Sequence, residues 1–137
     1  MAYIRCDRKD FAETVLWTNA NPTSSFATQT ITLSDDITNY DIIRIEGRKN
    51  TSDDTYLEVY AIPSYLVNCS TSKSSQAGNC GIASSSGSGS TGARSTRVCT
   101  STVANPNKIE FGSDYSMATS TSDNTRTIPT RVVGIKY

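Results

Sequence analysis

The sequence predicts an all-β chain, an antiparallel, jelly-roll-like β-sandwich of about eight strands, and three observations predict it. Apolar and polar residues alternate with a period of two along several short runs. Threonine, valine, isoleucine and tyrosine, which suit a pleated and half-buried surface, recur throughout, whereas runs with helical period are missing. Turn residues, including Asn21-Pro22 and Asn105-Pro106, punctuate the runs at strand-like spacing.

Residues 1–12 read as an N-terminal arm, and a single β-sandwich domain follows over 13–137. The arm carries Arg5, Asp7, Arg8, Lys9 and Asp10, and reads either as a solvated lead-in or as a peg that docks on a neighbouring subunit. Glu13 to Thr18 is the first expected strand, with Val15 and Trp17 on one face. After a corner at Asn21-Pro22, Ala27, Gln29, Ile31 and Leu33 are expected to face one way, and Thr28, Thr30 and Thr32 the other. Trp17 and Phe26 bracket that corner and are expected to fill one end of the core. Ser34-Asp35-Asp36 is a turn, and its two carboxylates suit Asx hydrogen bonding better than a calcium ion, which needs a longer series of oxygen ligands.

Tyr40 to Gly47 is the next strand, with Ile43 and Ile45 inward and Arg44 and Glu46 toward water. A polar loop containing Asp53-Asp54 leads to Tyr56–Ile62, where Leu57, Val59 and Ala61 are expected inside. Tyr56, Glu58 and Tyr60 fall on the opposite face. Two tyrosines flanking a carboxylate suit a sugar ring and its hydroxyls, and suit equally well packing under a loop or a neighbouring subunit. These three are the candidate binding residues.

Pro63 ends that strand, and Tyr65-Leu66-Val67 is expected to start a weaker one. Residues 70–95 read as one long Ser/Gly-rich hairpin loop, because Ser84–Gly92 has the composition of a flexible linker. Such a loop is either an exposed tip or a tolerated insertion. A threonine-rich strand returns over Arg97–Val103. Lys108–Gly112 then places Ile109 and Phe111 inside and runs on toward Tyr115 and Met117. Residues 120–127 read as a polar turn, and Arg131–Tyr137 closes the domain with Val133 and Ile135 in the core. The expected core is therefore Trp17, Phe26, Ile31, Leu33, Ile43, Ile45, Leu57, Val59, Ile109, Phe111, Val133 and Ile135.

Two stretches carry a resemblance. Leu16-Trp17-Thr18-Asn19, Pro22-Thr23-Ser24 and Phe26-Ala27-Thr28-Gln29-Thr30 open the chain's first motif. Ile128-Pro129-Thr130-Arg131-Val132-Val133-Gly134-Ile135-Lys136-Tyr137 closes the sequence. Together they resemble a β module of bacteriophage tail-fibre and other virion-surface proteins. These are packing motifs, with no reactive group to carry over. The resemblance implies a structural virion protein, a tail fibre or tip or a head-fibre or decoration subunit, located in the virion. It implies self-assembly, as a trimer, with other virion proteins met through the arm and contact with the host surface. The alternative is a carbohydrate-binding module for host-surface glycans.

Composition excludes several function classes. Across 137 residues, 13 lysines and arginines balance 13 aspartates and glutamates, which disfavours a nucleic-acid binder or a polybasic membrane-surface protein. No apolar run suits a membrane span or a signal peptide, so the expectation is synthesis in a cytoplasm, which the resemblance implies is that of a host bacterium, and no membrane insertion. With no histidine, Ser-His-Asp and Cys-His arrangements are excluded. Asp35, Asp36, Asp53, Asp54, Glu46, Glu58 and Glu110 offer carboxylates for a glycosidase pair, but they fall in turns or on solvent faces, so no enzyme is expected. The glycines of 87–92 precede no helix that would cradle a phosphate, and no cofactor is expected. Cys6, Cys69, Cys80 and Cys99 lack zinc-site spacing. They read either as small buried or free thiols or as containing a bridge, for which Cys69–Cys80 closes the shortest loop.

Overall fold

Among the described residues, ten strand segments, all paired antiparallel, form two sheets. The computed structural model describes residues 12–67, 80–86, 93–116 and 121–137. In chain order the strands are β1 (Ala12–Thr18), β2 (Gln29–Thr32), β3 (Ile42–Asn50), β4 (Tyr56–Ala61) and β5 (Cys80–Ser86). They continue with β6 (Ala93–Thr100), β7 (Lys108–Phe111), β8 (Tyr115–Ser116), β9 (Thr121–Ser122) and β10 (Arg126–Lys136). One sheet has the order β1-β10-β3-β4. In the other, β6 pairs with β5 along one edge and with β7 and β8 end to end along the other, while β2 and β9 pair with β7 and β8. The all-β sandwich is thus the observed architecture.

The sheets enclose Leu16, Phe26, Ile31, Leu33, Ile43, Ile45, Ile82, Ile109, Phe111, Ile128 and Val132, with Trp17 and Val59 partly buried against them. Three aromatic rings close one end. Phe26 meets Trp17 edge-on at 6.2 Å and Phe111 edge-on at 5.7 Å, and Trp17 lies tilted against Phe111 at 6.1 Å. Such arrangements place a ring edge on a π face, which adds to the gain from burial.

Several expectations change, each for a local reason. A β-bulge between Val15 and Trp17 adds a residue to β1, so Leu16 turns inward beside Trp17 while Val15 is 46% exposed. Ala27 and Gln29 are exposed, because the pairing of β2 begins only at Gln29. Pro63 starts a helical turn, α1 (Pro63–Val67), where a weak strand was expected, and Leu66 plugs the core from it. Ser84–Ser86 and Ala93–Ser95 belong to the β5–β6 hairpin, and the linker-like remainder at 87–92 lies outside the described residues. The expected polar turn at 120–127 contains β9 and the start of β10. Val133 and Ile135 are buried, but opposite Arg44 and Ile42 they share the outer face of their sheet, away from the inward Ile43, Ile45 and Val132. The β5–β6 register sets Cys80 directly across from Cys99. Cys6, Cys69, Met117 and the arm up to residue 11 lie outside the described residues.

A buried guanidinium joins the sheets. Arg97 on β6 is fully buried and donates from Nε to the Thr127 carbonyl (2.8 Å), from Nη1 to Gly112 (2.7 Å) and from Nη2 to Arg126 (3.0 Å). Its Cζ also lies 5.3 Å from the centre of the Phe26 ring. Gly112–Asp114 is the break between β7 and β8, and Arg126 and Thr127 begin β10 in the other sheet. Thr127 sits at φ 42°, a region where a β-branched residue is strained, and its hydroxyl donates to Oδ1 of the buried Asp114. Burial pushes the Arg97 guanidinium down to about 10, against the pull of Asp114 and Asp123. Burial pushes the Asp114 carboxyl up.

Two stability outcomes follow from this packing. Phe111→Ala removes a fully buried ring and should cost about 3–5 kcal/mol in urea unfolding, more than Trp17→Ala, whose ring is only partly covered. Arg97→Lys keeps a charge but not the planar fork that reaches three carbonyls, so it should lose about 2–4 kcal/mol by the same assay. An unchanged midpoint for Arg97→Lys would show that the fork is not what joins the sheets.

Candidate functional site

The outer face of the four-stranded sheet carries the described side chains best placed for recognition. Strand register arranges them in rows, because directly opposed residues on neighbouring strands share a face. One row runs Tyr60, Arg44, Val133, Val15 across β4, β3, β10 and β1. The next runs Glu58, Glu46, Arg131, Thr18, and beyond it Tyr56 stands opposite Arg48. The alternation of β4 thus puts Tyr56, Glu58 and Tyr60 together on this face, as the sequence suggests.

Glu46 departs from expectation. It is 5% exposed, not turned to water, because three basic donors close over it. Arg131 grips it through Nε (2.9 Å) and Nη2 (3.0 Å), and Arg44 Nε donates to Oε2 at 2.7 Å. Arg44 reaches on to Glu13 through Nη1 (2.7 Å) and Nη2 (3.1 Å). Burial alone would raise the Glu46 carboxyl, but the hydrogen bonds from Arg131 and Arg44 prevail and hold it below its usual range. The Arg44 hydrogen bond likewise lowers Glu13.

That neutralisation has a local consequence. Glu58 lies directly opposite Glu46, a pairing that would repel if both charges were bare. With Glu46 held between arginines, Glu58 instead accepts hydrogen bonds at Oε2 from Tyr56 (2.8 Å) and Tyr60 (3.2 Å). Partial burial and the bond to Glu58 hold the Tyr56 phenol above its ordinary range. Both residues remain more than half exposed, at 56% and 52%, while the shared carboxylate orients their hydroxyls.

A cleft of about 320 Å³ adjoins Tyr56. Thr18, Asn19 and Pro22 from the β1–β2 corner form one wall, and Glu46, Arg48, Asp54, Tyr56, Thr130 and Arg131 complete the lining. Asn19 braces this wall, donating from its backbone N to Thr130 O and from Nδ2 to Pro129 O, both at 2.8 Å. Its Oδ1 accepts from Asn21 N at 2.8 Å, closing the turn that the Asn-Pro pair signals. Arg48 Nε is tied to the Asn50 carbonyl at 2.9 Å. Of the lining, sequence reasoning named Tyr56 as a binding candidate and missed Asn19, Arg48 and Thr130, because β1, β3 and β10 are brought together only by long-range pairing.

The other acidic turns are engaged locally. Asp35 accepts at Oδ1 from Asp36 N and Asn39 Nδ2, both 2.8 Å, and at Oδ2 from the Tyr40 hydroxyl at 3.0 Å. Gly134 admits the Tyr40 ring, since a Cβ there would stand 2.5 Å from its Cδ1. Asp53 Oδ1 accepts from the Thr55 backbone (3.0 Å) and hydroxyl (2.6 Å). Among the described residues, no three His, Cys, Asp or Glu side chains gather to hold a metal ion, and no helix is long and apolar enough to cross a membrane.

No family model and no curated protein matches this chain.

The titrating groups set a pH dependence. Hydrogen bonds hold Glu13, Asp35, Glu46, Asp53 and Asp123 below their usual range, so each contributes stability at neutral pH that is lost as pH falls through its folded-state value. Asp114, raised by burial, acts in the opposite sense and is relieved on acidification. The melting temperature should therefore fall below about pH 4 in a scan from pH 7 to pH 3, and Asp114→Asn should steepen that fall by removing the compensating group.

Proposed function

We propose that the chain is a non-enzymatic structural protein of a bacteriophage virion, a tail-fibre or tip subunit or a head-fibre or decoration subunit. It assembles with itself, as a trimer, with the outer face of the four-stranded sheet as a contact surface. The observation that carries this reading is the row Tyr60, Arg44, Val133, Val15. It combines tyrosine and valine exposed at 52% and 46% with an ion-pair lattice already closed on itself. Glu13, Arg44, Glu46 and Arg131 are paired before any partner arrives, so covering them costs little desolvation, and the exposed Val15 and Tyr60 gain by being covered. The two stretches that carry the phage resemblance also support it. β1 and the β1–β2 corner hydrogen-bond directly to β10, so these packing motifs form one unit along the β1 edge of the sheet.

A second reading has its own observation. Tyr56 and Tyr60 share one carboxylate, both are more than half exposed, and Tyr56 lines a cleft, a geometry suited to a glycan. The cleft side of Tyr56 lies beyond the Tyr60–Val15 row, so a subunit that assembles through that row leaves the cleft for a glycan.

Light scattering on the purified chain tests the first reading. A concentration-stable oligomer is expected, and the pair Val15→Glu and Tyr60→Glu should shift it to monomer with the fold retained by circular dichroism. A wild-type chain that stays monomeric at high concentration would sink the assembly reading.

A further inference from the structure

We infer that the cleft between the Asn19–Pro22 corner and Tyr56 binds a carboxylate-bearing sugar, with its carboxylate on the Arg48 guanidinium and its ring on the face of Tyr56. The inference rests on the glycan-binding reading and narrows it to acidic saccharides.

The charges around the cleft single out Arg48. Both oxygens of Glu46 are engaged, and Arg131 commits Nε and Nη2 to them. Arg48 uses only Nε, on the Asn50 carbonyl at 2.9 Å, and its two terminal nitrogens have no partner among the described residues. Its tether orients the guanidinium in advance, which lowers the ordering cost when a planar carboxylate docks across the two terminal nitrogens. Lysine, a flexible point charge, would not offer that fork.

Tyr56 supplies the second half of the site. It stands directly across the strand pair from Arg48, and its hydroxyl is held by Glu58 at 2.8 Å. The side chain is thereby oriented in a residue more than half exposed. A pyranose presents an apolar C–H face to such a ring and its substituents at the rim. Asn19, Thr18 and Thr130 offer amide and hydroxyl groups for sugar hydroxyls, and Asp54 offers an acceptor but repels a second anion. At about 320 Å³ the cleft falls at the small end of ligand sites, which suits a short saccharide. One unengaged guanidinium beside Asp54 matches a single carboxylate and does not match a phosphate chain, which needs a run of cations.

Calorimetric titration of the full chain with methyl glycosides of glucuronic acid, galacturonic acid and N-acetylneuraminic acid, beside those of glucose, galactose and N-acetylglucosamine, tests this. At least one acidic sugar should bind with Kd on the order of 1 mM, at least about tenfold tighter than its neutral counterpart. Arg48→Gln should erase that preference, and Arg48→Lys should restore only part of it. Tyr56→Ala should weaken acidic and neutral sugars alike, whereas Tyr56→Phe keeps the ring and should retain the preference. Asp54→Asn, which leaves Arg48 and its tether untouched, should tighten the acidic sugar about two- to threefold by removing a nearby like charge. Equal binding of acidic and neutral sugars by the wild-type chain would overturn the acidic specificity and leave glycan binding standing. Binding of neither class by folded protein at millimolar sugar would overturn both.

Discussion

The buried guanidinium of Arg97 is the interaction on which the rest of the structure depends. A sandwich is usually joined by apolar side chains alone, which attract without direction. Here one planar cation on β6 reaches a carbonyl at the β7–β8 break and two at the start of β10, so it fixes the sheets in both distance and register. An isolated charge at such depth would be prohibitive. It is tolerated because three carbonyls satisfy its donors, Asp114 lies within its field, and the Phe26 ring faces it. The unusual backbone of Thr127 belongs to the same knot, since its carbonyl and hydroxyl are both held there.

From that knot β10 runs outward as the central strand between β1 and β3, and the candidate site depends on its position. Arg131 leaves β10 to meet Glu46 on β3, Arg44 bridges Glu46 to Glu13 on β1, and the charge on three strands is settled within the face. Only because Glu46 is neutralised can Glu58 sit opposite it and hold two tyrosines. Hydrogen bonds consequently prearrange these side chains. A prearranged surface suits assembly and recognition, where less ordering entropy is lost on contact. Val15 and Tyr60 stand exposed at its two edges, with the buried Val133 and the largely covered Arg44 between them, while Tyr56 and Arg48 adjoin a cleft whose lining is more apolar than polar. The row and the cleft suit different partners.

Much of the fold was legible from period-two patterning. Ile31, Leu33, Ile43, Ile45, Ile109 and Phe111 are buried as the alternation indicates, and Tyr56, Glu58 and Tyr60 share the outward face. The patterning failed where a local event resets the alternation. The bulge in β1 exchanged the exposures of Val15 and Leu16, and Pro63 turned a weak apolar run into a helical turn. It failed also for charged residues, since nothing within β3 or β6 tells a solvated Glu46 or Arg97 from a buried one. Their donors and acceptors come from strands distant in the chain.

The sequence by itself determined the all-β class, most of the inward residues and the tyrosine–glutamate–tyrosine ladder, because these rest on a period of two within single strands. Tertiary structure alone decided that Glu46 and Arg97 are buried, that Val133 and Ile135 line the outer face, and that Arg48, Asn19 and Tyr56 border one cleft. The reason is that burial of a charge, and the meeting of side chains from β1, β3 and β10, follow from strand order and register, which are set by contacts far apart along the chain.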